Sequence, residues 1–167
     1  MEQSNDRTQS AMLTSLLFLP KVAVIAISVL MIGVTLLQVV FRYVLAAPLP
    51  WSEELARYCF VWIVFLGAAI GLERGFHLGV DLFVNLLPEK VRTRLDILCS
   101  ALIACFAIAV TYASFPVISM NLLQRSPALG VQMTWIYVAI PTSMILIFFI
   151  SVARIAKTLR EQAGQNT

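Results

Sequence analysis

The sequence predicts an all-α integral membrane protein of four transmembrane helices, and three observations carry that prediction. Hydrophobic residues fill 60% of the 167 positions and charged residues only 13%, whereas a soluble domain of this size has too much exterior to hide so much apolar surface. Four stretches free of charge, residues 22–41, 58–72, 97–124 and 126–153, recur along the chain, and about 20 apolar residues in a helix cross a bilayer. The ionisable residues gather where these stretches end, as they must when a charge at the membrane centre is costly.

The first stretch follows Arg7 and Lys21 and precedes Ala46-Ala47, a pattern shared with secretory signals. Its apolar core of 20 residues, ending in Arg42, exceeds the usual signal core, so an uncleaved first helix is expected. Arg42 then either extends toward the headgroups or forms a salt bridge, with Glu53 or Glu54 across the following turn or with another subunit. Ala46-Ala47-Pro48-Leu49-Pro50 breaks the helix, and Ser52 is placed to cap a new one with Glu53 and Glu54 in its first turn. From there Trp51, Leu55, Cys59 and Trp62 share one face while Glu53, Glu54 and Arg57 occupy the other. This predicts a short interfacial amphipathic helix between the first two spans, the alternative being an ordinary helix start with an aromatic anchor.

The second stretch is short and borrows its flanks, Arg57 and the Glu73-Arg74 pair. It carries glycines every four residues, Gly67, Gly71, Gly75 and Gly79, a spacing that lets another helix come close in lipid; the last pair also suits a turn. Residues 80–87 then read as a short interfacial helix before the turn at Pro88. Pro116 and Pro141 are expected to kink the third and fourth spans, and Trp135 and Tyr137 to sit in an aromatic belt. The expected organisation is a polar cytoplasmic segment over 1–15, one four-helix membrane domain over 16–155, and a cytoplasmic tail over 156–167. The polar ends, residues 1–10 and 161–167, read as loose.

Orientation follows from the basic residues, which are retained on the cytoplasmic side. With both termini inside, Arg7, Lys21, Arg74, Lys90, Arg92, Arg94, Arg154, Lys157 and Arg160 are cytoplasmic and Arg42, Arg57 and Arg125 are not, nine against three. The net charge of +3 is thereby explained without nucleic acid, since the positive residues flank apolar spans instead of forming a basic patch.

Little in the chain points to catalysis. Glu73, His77 and Asp81 recur every four residues, but Gly75 and Gly79 interrupt any helix there, so a solvated turn is favoured over a metal cluster. Cys59, Cys99 and Cys105 lack a ligand spacing and read as buried apolar fillers. One histidine outside the spans cannot supply two haem ligands, and no phosphate loop, H-E-x-x-H or Ser, His and Asp arrangement is seen. The expected spans hold no acid, which a proton-coupled exporter would need. No enzyme activity and no cofactor are expected.

The strings Phe41-Arg42-Tyr43, Pro50-Trp51-Ser52-Glu53-Glu54-Leu55-Ala56-Arg57-Tyr58, Val61-Trp62 with Phe65-Leu66-Gly67-Ala68, and His77 followed by Val80-Asp81 resemble the small membrane subunit of tripartite ATP-independent periplasmic (TRAP) transporters, the DctQ-like or Q subunit. The resemblance runs from the first span to the end of the second loop, and Trp135, Tyr137 and Pro141 agree with it. It implies a non-catalytic scaffold in a bacterial inner membrane, paired with a large subunit that binds substrate and sodium and moves as an elevator. It further implies import of an organic acid, a C4-dicarboxylate or a sugar acid such as sialic acid, delivered by a periplasmic binding protein. Arg42, Trp51, Glu53, Glu54, Arg57, Trp62, Gly67 and Gly71 become expected interface or structural positions, and His77 and Asp81 a cytoplasmic loop motif. The polar tail suggests a chain separate from the large subunit. The competing classes are a stand-alone homo-oligomeric channel or exporter and an accessory subunit of a membrane redox complex.

Overall fold

The computed structural model describes the backbone of residues 2–73 and 89–165 and the side chains of residues 17–73 and 91–160. Its helices are α1 (Glu2–Tyr43), α2 (Pro50–Glu73), α3 (Glu89–Met120), α4 (Thr134–Tyr137) and α5 (Ala139–Gln165). Among the described residues, four segments are long and apolar enough to span a bilayer, Leu17–Tyr43, Pro50–Glu73, Val91–Met120 and Thr134–Arg160, the last joining α4 to α5. The shortest, of 24 residues, extends about 36 Å at the helical rise, against a hydrocarbon core of about 30 Å.

Several boundaries differ from those read in the sequence. The third span stops at Met120 and the fourth starts at Thr134, so Asn121, Gln124 and Gln132 lie in the loop between them. The helix gives way there to a turn closed by an antiparallel bridge between Arg125 and Gln132. No separate interfacial helix stands between α1 and α2: Trp51 to Trp62 form the first turns of one unbroken helix, Pro50–Glu73. Proline at the first helical position needs no N–H partner, and nothing after it interrupts the backbone ladder. Ser52 is inside that helix and is no cap; its hydroxyl donates back to the Leu49 carbonyl at 2.7 Å and is fully buried. Of the polar ends expected to be loose, the described residues 2–10 and 161–165 carry helical backbone.

Pro141 has no N–H for the Tyr137 carbonyl, and the helix is interrupted at Val138, between α4 and α5. α3 continues through Pro116. The turn after α1 is tied back by Val44 N–H to the Val40 carbonyl at 2.8 Å and Ala47 N–H to the Phe41 carbonyl at 3.0 Å. It places Ala46 at φ 53°, a left-handed conformation that costs a non-glycine residue about 1 to 2 kcal/mol.

The helices form an open row in the order α1, α2, α5, α3. Two antiparallel hairpins, α1 with α2 and α3 with α5, join where α2 meets α5. The seam is built of small residues: Ala69 and Ala139 are fully covered, as are Ser143 and Ser151, with Ala104 and Ala107 on α3. Ser114 and Ser151 satisfy their own hydroxyls by donating to the carbonyl one turn earlier, at 2.7 and 2.8 Å, so they can line a tight helix contact without an unpaired polar group. Met144, Ile147 and Ile150 fill the remaining space around Leu17, Ala69 and Ala107. α5, in contact with helices on both sides, is the best covered span at 33%, whereas only 6% of the α1 window is buried.

Candidate functional site

The charged motif sits at the end of the row formed by the turn at 44–49, the start of α2 and the loop at 121–133. Successive residues on an α-helix point about 100° apart, so the adjacent acids Glu53 and Glu54 serve different neighbours. Glu53 faces α1: its Oε1 accepts from Gln38 Nε2 at 3.1 Å and lies 3.8 Å from Arg42 Nη1. Both members of that ion pair are more than half exposed, which limits it to under about 1 kcal/mol. Arg57 is exposed and makes no ion pair with either acid among the described residues.

Glu54 turns the other way. Its Oε1 accepts from the Tyr58 hydroxyl, one helical turn on, at 2.5 Å, and its Oε2 accepts the backbone N–H groups of Ala128 and Leu129 at 3.0 and 2.9 Å. Tyr58 also approaches Met133 Sδ at 3.4 Å. Within the loop, Ser126 N–H donates to the Val131 carbonyl, Gly130 N–H to the Ser126 carbonyl, and Met133 N–H to the Gln124 carbonyl, at 2.9, 3.0 and 3.0 Å. Gly130 takes φ 67°, which glycine adopts without penalty.

Of the other expected positions, Trp51 and Trp62 are half-buried on α2. Among the described residues, Gly67 and Gly71 are not in close contact with another helix: a Cβ added at either would meet nothing within 4 Å. The close-packing role falls instead to Ala69 between them, together with the alanines and serines of α3 and α5. His77 and Asp81, the Glu73, His77 and Asp81 spacing, Gly75, Gly79 and the expected short helix over 80–87 lie outside the described residues or depend on residues outside them. Of the cysteines, Cys59 is buried as expected, whereas Cys99 and Cys105 lie on the exposed side of α3.

At the opposite end of the row, Lys21 Nζ meets Glu73 Oε2 at 2.9 Å and Arg154 Nη2 meets Asp96 Oδ1 at 3.2 Å. Thr158 Oγ1 donates to Asp96 Oδ2 at 3.4 Å. These pairs staple each hairpin, and the third span, Val91–Met120, includes Asp96, in contrast to the acid-free span expected from the sequence. The signal was present in the i,i+4 spacing of Arg154 and Thr158, which puts both on one face of α5.

The model of the DctQ component of tripartite ATP-independent periplasmic transporters matches residues 31–161. The chain belongs to this family. Among relatives of this DctQ component, a TRAP transporter small permease protein of Haemophilus influenzae is 28% identical over 137 residues, 82% of this chain and 83% of the relative. The sialic acid TRAP transporter small permease protein SiaQ of Vibrio cholerae is 26% identical over 76% of this chain and 73% of its own length. The sialic acid TRAP transporter permease protein SiaT of H. influenzae is 29% identical over 80% of this chain but only 21% of its own length, so the same module also occurs as one portion of a longer polypeptide. A DctQ component with four spanning helices is a multi-pass inner-membrane protein and a small permease subunit of a transporter.

Proposed function

We propose that this chain is the non-catalytic small subunit that scaffolds a large, sodium- and substrate-binding membrane subunit during sodium-coupled import of an organic acid. The acid belongs to the C4-dicarboxylate or sugar-acid class and is delivered by a periplasmic binding protein. The observation that carries the reading is the family match from residue 31 to 161, which includes the whole charged motif and the last three spans. The portion that the module occupies in SiaT supports a physical partnership with a larger membrane protein.

Both termini are placed in the cytoplasm, on the nine-to-three distribution of Lys and Arg. Segments 1–15 and 156–167 are then cytoplasmic, as is the loop with His77 and Asp81, while the Glu54 end is periplasmic. Arg42, Glu53 and Arg57, exposed at that end, are offered to the large subunit. Gly67 and Gly71, with open space beside them, offer it a face for close helix packing.

Reconstitution tests this directly. Proteoliposomes with this chain alone take up no organic acid under an inward sodium gradient, and those with the large subunit and the loaded binding protein do. Uptake by the chain alone would overturn the scaffold assignment.

A further inference from the structure

The loop between α3 and α4 contains a single helical turn over residues 126–130, closed by the Gly130 N–H on the Ser126 carbonyl at 3.0 Å and ended by Gly130 at φ 67°. Ser126 stands at its N-cap and Pro127 at its first position, where a missing N–H is no loss. Ala128 and Leu129 follow, and their N–H groups have no partner inside a single turn. A serine in this place ordinarily caps them with its own hydroxyl. Here the Ser126 hydroxyl is buried beside the Glu54 carboxylate and the Tyr58 hydroxyl, and both N–H groups go to Glu54 Oε2 at 3.0 and 2.9 Å.

We propose that Glu54 is a positioning residue for the 121–133 loop: its carboxylate is the cap of the 126–130 turn, supplied from the other hairpin in place of Ser126. A carboxylate suits the task better than a hydroxyl because the turn's N–H end carries partial positive charge. Tyr58, one turn further along α2, holds the second carboxylate oxygen and so fixes the direction in which the first one points. Glu53, about 100° round the helix, faces Gln38 and Arg42 and cannot substitute. The loop surface is therefore shaped by α2, and α2 is joined to the second hairpin at this end through hydrogen bonds as well as packing.

Hydrogen–deuterium exchange on the purified full-length chain in detergent tests the assignment through the peptide amides of residues 126–133. Glu54→Ala is expected to speed exchange there several-fold while leaving the centre of α5 protected, Glu54→Gln to have a smaller effect in the same peptide, and Glu53→Ala to have none. Adding Ser126→Asp to Glu54→Ala is expected to restore protection, because aspartate at the N-cap takes the same N–H groups locally; general unfolding would not be rescued in this way. Wild-type exchange in both Glu54 variants, an equal effect of Glu53→Ala, or failure of Ser126→Asp to restore protection would each overturn the proposal.

Discussion

The two ends of the helix row use charge differently. At one end Lys21 with Glu73 and Arg154 with Asp96 pair inside their own hairpins, at 2.9 and 3.2 Å. At the other, Glu54 leaves its hairpin and takes backbone N–H groups 74 and 75 residues further along. The difference lies in the available donors. Antiparallel neighbours bring opposite side-chain charges level with each other, whereas a helix interior has no spare N–H and only a loop can offer one to a neighbouring hairpin. Between these ends the hairpins meet through small, fully covered residues.

If that middle seam holds the hairpins together, the largest effect comes from enlarging it. Ala69→Leu inserts three carbons at a position with no exposed surface, in a cluster with Ala107, Met144 and Ile147. It is expected to lower stability in detergent by about 1 to 3 kcal/mol, read as a fall in melting temperature. A wild-type melt would show that the hairpins are held elsewhere.

The next largest effect concerns the pairs within hairpins. Asp96→Ala leaves Arg154, whose side chain is only 30% exposed, without its acid and is expected to cost about 1 to 2 kcal/mol. Swapping the two residues should recover part of the loss. Arg42→Ala should cost well under about 1 kcal/mol and its effect should fade in high salt, as for an exposed pair. Equal losses in the two variants would erase the contrast between the ends.

The smallest effect on the chain itself sharpens the comparison most. Gly67→Leu with Gly71→Leu should leave the melt of the isolated chain unchanged, because nothing among the described residues lies within 4 Å of either added Cβ. The same pair should reduce co-purification with the large subunit if that face is its contact. Normal recovery of the complex would remove these glycines from the interface.

The class and number of spans were legible in the sequence because hydropathy is a local, additive property, and the charged strings marked the family for the same reason. Of the glycine stripe, Gly67 and Gly71 have open space beside them among the described residues, so contact between the hairpins runs through Ala69 instead. Small side chains permit close approach wherever they occur, and which face is approached depends on the crossing of α2 with α5. Ser52 has the residue type of a cap, yet the helix starts two residues earlier at Pro50, which needs no N–H partner at the first position.

By itself, then, the sequence determined a four-span membrane protein of the DctQ family, with charge confined to helix ends, since lipid penalises charge wherever the fold puts it. The tertiary structure decided the partners. Glu53 and Glu54 are the same residue type in adjacent positions, and only the placing of α1 on one side and the 121–133 loop on the other sends one to an exposed arginine and makes the other a cap. No local pattern encodes a contact across 74 residues, because it depends on how the two hairpins lie side by side.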